Sequence, residues 1–410
     1  MKKKILHITA HLGGGVGKAV SSLIKNDKKF SHEVICLEKP INYKFYNIIK
    51  KKNKIIITNK ILIIKKYLDK ADIVQIEFWN HPLLLKTLVS LKNLNQRIIL
   101  WAHQSGIKYP RIPKKILKNK NIEIVFSSKR SLSSHKKNNK GNFHFISSAS
   151  CNYQKKNIKK PFFKCFYMGS FHQNKIYKNF ISLISDNLNT IGRFDMYGEN
   201  ELKKNFLNIV KIKKLEKKIY VHGYKNKVYE VFKKNSVLLY FLDKDHYGTG
   251  ENFLIESMSA GVVPVVLNNS LEASLIKNNV NGVILKNEND LANILIKLRF
   301  DNKFRENLRK NCIKFANNNF NSKLLVKKFD KLYIKKNKQK KFNFNFKNML
   351  GNNAFEIFKN FLDKNKIEIK KILSSNKGGI FHFEKYFKND LSLLKILEKS
   401  REAKKKLYDF

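Results

Sequence analysis

The stretch from His246 to Val266, H-Y-G-T-G-E-N-F-L-I-E-S-M-S-A-G-V-V-P-V-V, decides how the chain is read. Gly248 and Gly250 punctuate a loop. Glu251 to Ala260 then reads as a short helix, Gly261 stands where a helix C-cap belongs, and Val262 to Leu267 reads as a buried strand. Glu251, Asn252 and Glu256 sit on or near the first turns. The unpaired N–H groups of a helix start, with the positive end of its dipole, favour an anion such as a phosphate. Two carboxylates there would repel a phosphate unless they faced hydroxyls, and the vicinal diols of a sugar or ribose are matching donors. The combination points to a nucleotide-sugar pocket.

Outward from this stretch, short apolar runs recur. Phe162 to Met168, Arg193 to Gly198, Ile219 to Gly223, Ser236 to Leu242 and Asn281 to Leu285 read as further strands of the same half, and Asp290 to Leu298 as a helix. The first half repeats the theme with Lys4 to Thr9, Glu33 to Leu37, Ile55 to Thr58, Ile73 to Glu77, Ile98 to His103 and Ile122 to Ser127, several of them separated by helical stretches. That alternation describes an α/β fold with parallel sheets. Ligands of such sheets bind beyond the carboxyl ends of the strands. Three polar clusters fall there: Gly14 and Gly15 in the loop His11 to Lys18; Glu77, Trp79, Asn80 and His81; and His103 with Gln104 and Ser105. The loop is neither G-x-G-x-x-G nor a P-loop, and read alone it is also compatible with a tight turn.

The motif Glu256, Ala260, Gly261, Pro264, Val265 resembles the donor-binding segment of the retaining glycosyltransferases of family four. The resemblance implies a GT-B fold: two facing Rossmann-like domains with parallel sheets and an interdomain cleft, here followed by a C-terminal helical extension. It places an N-terminal acceptor domain at 1–155, a donor domain at 156–335 and a basic, aromatic extension at 336–410. It implies a metal-independent hexosyltransferase with no cofactor, whose partners are a nucleotide-sugar donor and a glycan or lipid-linked glycan acceptor. Gly14 and Gly15 resemble the loop that approaches the donor diphosphate. Gly169 and Lys175 match the family's diphosphate loop, with Ser170 in the place of an Arg, and Gly248 stands where the first Glu of the motif is usual. By the same resemblance Glu256 holds the ribose, Glu251 or Asn252 the sugar, and the N–H groups from Glu251 through Phe253 to Leu254 the diphosphate. His103 matches the strand-end histidine implicated in contacts to sugar and acceptor. The expected catalytic set is therefore His103, Lys175 and Glu251, and the expected acceptor set Glu77, Trp79, Asn80 and His81. Trp79 is read equally well as a sugar platform or as core packing.

The composition bounds the alternatives. With 410 residues, 42% hydrophobic, the chain is long enough for two cores. Lys and Arg number 84 against 31 Asp and Glu, a formal charge of +53. Lysines are spread over nearly every block and Arg is scarce, which fits composition bias first, an anionic membrane surface second, and argues against nucleic-acid binding. Cys36, Cys151, Cys165 and Cys312 are scattered without a C-x-x-C, as in a reducing cytoplasm. The cytoplasm is the expected location, with the inner face of the plasma membrane as an attachment surface. Asp243 and Asp245 read as loop carboxylates, and Glu272 as a helix cap first and a group approaching the donor second. Cys151 to Pro161 reads as a linker. Lys335 to Lys347, with Phe342, Phe344 and Phe346, fits either a solvated linker or a membrane-facing strip. Two rival functions remain open: a GT-B epimerase or phosphorylase, and a non-catalytic sugar-binding scaffold.

Overall fold

The computed structural model describes residues 2–91, 94–151, 163–172, 175–199, 202–244, 246, 248, 251–269, 271–335, 343–362, 378–394, 396–398 and 400–402. It divides into two units. The first comprises residues 1–148, 247–250 and 325–410; the second comprises 149–246 and 251–324.

The first unit is built on a seven-stranded sheet. Its strands are β1 (Lys4–Thr9), β2 (Ser31–Cys36), β3 (Lys54–Ile57), β4 (Ile73–Phe78), β5 (Arg97–Ala102), β6 (Ile122–Phe126) and β7 (Asn142–Phe145). They lie in the order β3-β2-β1-β4-β5-β6-β7, and every pairing is parallel. The order reverses between β1 and β4, the position at which such sheets open a crevice beyond their carboxyl ends. β4, β5 and β6 are buried along their whole length, as central strands covered on both faces must be. The sequence reading missed β7, because N-F-H-F is short and only half apolar. It also read residues 11–18 as a loop. The helix Gly14–Asn26 in fact starts at Gly14, whose φ of +53° suits a residue without a Cβ.

The second unit has a six-stranded parallel sheet of β8 (Cys165–Met168), β9 (Phe194–Tyr197), β10 (Ile219–His222), β11 (Val237–Tyr240), β12 (Val263–Leu267) and β13 (Val283–Leu285). The order is β10-β9-β8-β11-β12-β13, with its reversal between β8 and β11. The helix Asn252–Ser259 joins β11 to β12 and buries Leu254, Ile255 and Met258 in the unit's core. It ends at Gly261, whose φ of +74° is the left-handed conformation that closes a helix. Four cysteines are free and buried.

The C-terminal segment corrects one expectation. Phe344 and Phe346 do not face a membrane or water: they are buried in the first unit, where the helices Phe346–Leu350, Ala354–Asn360 and Ile380–Tyr386 pack with Leu84, Leu85 and Leu88. Burial of several aromatic side chains outweighs the lysines between them, which keep their charges at the surface. Phe342 lies outside the described residues, as do residues 152–161 of the expected linker. Among the described residues no helix is long and apolar enough to cross a membrane.

Candidate functional site

In the second unit, polar side chains gather around the start of the helix Asn252–Ser259. Lys175 is brought there by its backbone. Ile176 forms an antiparallel bridge to Leu242, the Tyr177 N–H donates to Phe241 O at 3.1 Å, and the Asp243 N–H donates to Lys175 O at 2.8 Å. The Lys175 ammonium then stands 3.4 Å from Glu251 Oε2. The Tyr240 hydroxyl, at the carboxyl end of β11, donates to the same oxygen at 2.5 Å. His246 Nδ1 lies 3.9 Å from Glu251 Oε1, and His246 Nε2 lies 2.8 Å from Glu272 Oε1.

Glu251 is the N-cap of the helix, not its first residue, and its φ of +34° and ψ of +51° are left-handed. A non-glycine residue held there carries strain of about 1–3 kcal/mol and persists only when its surroundings fix it. Here the fixing groups are Lys175, Tyr240 and His246. Burial alone would push the Glu251 carboxyl up; the Lys175 and His246 charges and the hydrogen bonds from Tyr240 and Lys175 outweigh it and hold the group below its ordinary range. The Tyr240 phenol is pushed well up by burial and by the Glu251 charge, so it stays a donor. Glu256 is buried one turn further along the helix. Glu272 precedes the short 3₁₀ turn Ala273–Leu275 but makes no side-chain cap bond, which corrects the capping expectation; it pairs with His246, and its Oε2 is buried without a hydrogen bond.

In the first unit, His103 continues β5 by donating its N–H to Phe78 O at 2.8 Å. Its Nε2 lies 2.7 Å from Glu77 Oε2, while Glu77 Oε1 faces His7 Nδ1 at 2.9 Å. Glu77 is fully buried, so its carboxylate holds His103 and His7 rather than an acceptor. Its charge survives burial because His103 and His7 hydrogen-bond to it, and its pKa lies below the ordinary value. Asn80 is likewise taken: it is buried, its N–H donates to Gln104 Oε1, and its Nδ2 donates to Gly378 O at 3.2 Å. Gly14 and Gly15 lie in the first turn of the helix Gly14–Asn26.

Trp79 is half-buried, with its ring edge-on to His81 at 4.7 Å and to His11 at 5.5 Å between centroids. His81 is buried, 3.3 Å from Glu38 Oε1, and its ring meets His382 and Tyr386 of the C-terminal segment. Tyr386 donates to Glu38 Oε2 at 2.5 Å. Against the cost of burial, the bonds from His81 and Tyr386 bring the Glu38 carboxyl down to about 2. Sequence reasoning missed Glu38, His382 and Tyr386. Glu38 could have been found by the strand-end rule that selected His103; nothing local marks the other two.

Two groups of described residues bring ligand-type atoms within 4.8 Å of one another: His11, Glu38 and His81 in the first unit, and His246, Glu251 and Glu272 in the second. The second group already has the Lys175 ammonium beside one carboxylate.

The family model described as Glycosyl transferases group 1 matches residues 151–319. No curated protein sequence matches the chain. Among solved structures the chain is similar to TarM, with a TM-score of 0.67 and 11% identity over 82% of this chain and 99% of that one. It is similar to HepE of Anabaena in complex with UDP-glucose, with a TM-score of 0.66 and 12% identity over 80% and 99%. A glycosyltransferase from Rickettsia africae gives a TM-score of 0.60 and 17% identity over 81% and 98%. Identities this low establish the fold, and the matched segment carries the whole of the helix Asn252–Ser259, Lys175 and β8 to β13. Residues 151–319 thus match the model of the glycosyl transferases group 1 family, and the chain has the GT-B fold of the structures it resembles.

Proposed function

We propose that the protein moves a sugar from a nucleotide-diphosphate donor to a hydroxyl of a glycan or lipid-linked glycan, with retention and without a metal, in the assembly of a surface polysaccharide or lipid-linked glycan. The observation that carries this reading is the Lys175–Glu251 pair at the start of the helix Asn252–Ser259. It places a cation beside the N–H groups of a helix start, the arrangement that neutralises a departing diphosphate. The UDP-glucose and UDP complexes of HepE, which shares the fold, make a uridine nucleotide the first donor to try.

In this reading the bond between the sugar C1 and the diphosphate oxygen breaks, and the acceptor oxygen bonds to C1 from the same face. The hydroxyl proton leaves with the diphosphate. Lys175 and the amides of Asn252 to Leu254 stabilise the leaving group, Glu256 holds the ribose, and Asn252 holds the sugar. Glu251 orients Lys175 rather than meeting the sugar from open solvent. Gly14 and Gly15 approach the diphosphate by backbone. Trp79 and His81 line the acceptor side, and His103 orients the hydroxyl through Nδ1, since Nε2 is turned to Glu77. The basic surface suits an anionic membrane on which a lipid-linked acceptor is presented.

A second reading, a sugar-binding protein without turnover, is favoured by Ser170 and Gly248, which stand where the family has Arg and Glu. Each charge-assisted contact is worth about 1.5–3 kcal/mol, so their loss weakens binding without abolishing it. Thermal-shift screening against UDP-, GDP- and ADP-sugars, followed by calorimetry on Lys175→Ala and Glu256→Ala, tests the donor site. Unchanged donor affinity in both variants rules the proposal out; donor binding with no product on any acceptor supports the second reading.

A further inference from the structure

Five buried side chains of the first unit make an unbroken file of hydrogen bonds. Asp27 Oδ2 faces His32 Nε2 at 2.9 Å, His32 Nδ1 faces His7 Nε2 at 2.9 Å, His7 Nδ1 faces Glu77 Oε1 at 2.9 Å, and Glu77 Oε2 faces His103 Nε2 at 2.7 Å. The file crosses β2, β1 and β4 and ends at the strand-end histidine.

Each contact needs one hydrogen. The carboxylates of Asp27 and Glu77 accept, so His32 must donate from Nε2 and His7 from Nδ1. Those two hydrogens complete two neutral imidazoles. The 2.9 Å contact between His32 Nδ1 and His7 Nε2 would then set two lone pairs against each other. It becomes a hydrogen bond only if a third proton is present.

We infer that His7 and His32 together carry one proton more than two neutral rings, and that this trapped charge, lying behind Glu77, lowers the proton affinity of His103. Asp27, His32 and His7 are thereby positioning residues, and their catalytic consequence rests on the role of His103 proposed above. The hydrogen-bond count assigns the extra proton to the pair, shared across the 2.9 Å contact between the two rings. Glu77 divides its charge between the His7–His32 pair and His103, and Gln75 Nε2 adds a hydrogen bond at 2.9 Å. The Tyr333 hydroxyl fixes Gln75 by donating to its Oε1 at 2.6 Å. The other charged groups facing the file are Asp330, which acts on Asp27, Lys29 beside it, and Arg97, which acts on Tyr333. Asp330 is pushed up by burial and by the Asp27 charge, which leaves Asp27 the stronger acceptor of the two.

Asp27→Asn separates the charge from the hydrogen bonds. The asparagine Oδ1 still accepts from the Lys29 and Phe30 amides, as Asp27 Oδ1 does at 2.7 and 3.2 Å. Its amide donates to His32 Nε2, His32 donates from Nδ1 to His7, and His7 donates to Glu77. Every bond is kept with two neutral rings. Nitrogen-15 spectra of histidine-labelled full-length protein, from about pH 6 to about pH 8, read the proton count directly. Three ring protons on the four nitrogens of His7 and His32 in the wild type, and two in Asp27→Asn, are expected; two in the wild type overturns the inference. In the same spectra the His103 titration should move up by about one pH unit in Asp27→Asn, and the acidic limb of kcat/KM with it. An unmoved His103 titration overturns the coupling. A protein that transfers no sugar defeats the proposed function but leaves both spectral readings intact.

Discussion

The Lys175 ammonium lies 3.4 Å from the Glu251 carboxylate, 76 residues further along the chain, with both side chains largely withdrawn from water. Removing the lysine alone leaves a buried carboxylate short of its cation. Breaking such a pair costs about 3–5 kcal/mol, and Tyr240 and His246 reduce the loss here by remaining on Glu251. Lys175→Ala is therefore expected to lose about 2–3 kcal/mol in urea denaturation. Lys175→Met combined with Glu251→Gln should lose less than the two single changes added together.

Donor binding and acceptor chemistry should separate by residue. His103→Gln is expected to lower kcat by about a hundredfold, the order of loss when a reacting group is displaced from its geometry. The same variant should bind UDP-sugar with nearly unchanged affinity in calorimetry, because the role proposed for His103 is to orient the acceptor hydroxyl. Weakened donor binding in His103→Gln would place that side chain on the wrong substrate.

Glu38 gives an acid dependence whose direction is fixed. Its folded value of about 2 lies below the ordinary 4.5, so its contribution is present above about pH 4.5 and is lost as pH falls toward 2. Allowing for its partial exposure, about 2 kcal/mol is at stake. Glu38→Gln and Tyr386→Phe should each lower Tm above about pH 4.5 and flatten its fall on the acid side, so that variant and wild type converge toward about pH 2. A parallel acid limb in both variants would show that the bond is not made in solution.

The C-terminal segment should behave as core. Phe346→Ala, at a fully buried site among Leu84, Leu85 and Leu350, is expected to cost about 3–5 kcal/mol. Ending the chain at residue 335 should leave the first unit insoluble or molten by near-ultraviolet circular dichroism. A truncated protein with a native transition would show that the apolar face of the helix Pro82–Ser90 does not need its cover.

The sequence was informative where a physical rule acts over a few residues. Alternating apolar runs located twelve of the thirteen strands among the described residues and the helix before Gly261, because periodicity and backbone sterics are local. Lys175 was legible only through resemblance, since one lysine among so many carries little information. What brings it to Glu251 is an antiparallel bridge between Ile176 and Leu242, which no local pattern announces. Glu77 and Asn80 looked like acceptor contacts because both follow a strand core. Their actual partners, His7 and Gly378, lie 70 residues before and 298 residues after them, and long-range pairing of buried polar groups leaves no periodic trace. Phe344 and Phe346 misled for the opposite reason, as flanking lysines disguised a core segment.

The first unit joins residues 1–148 to 325–410, whereas almost all of the second runs uninterrupted between them. During synthesis the amino-terminal sheet therefore emerges first but must wait, its leucine-rich helix uncovered, until the ribosome has delivered the last fifth of the chain. The middle of the chain can close before then. A chaperone that shields Leu84, Leu85 and Leu88 during that interval would protect the nascent protein at its most vulnerable surface.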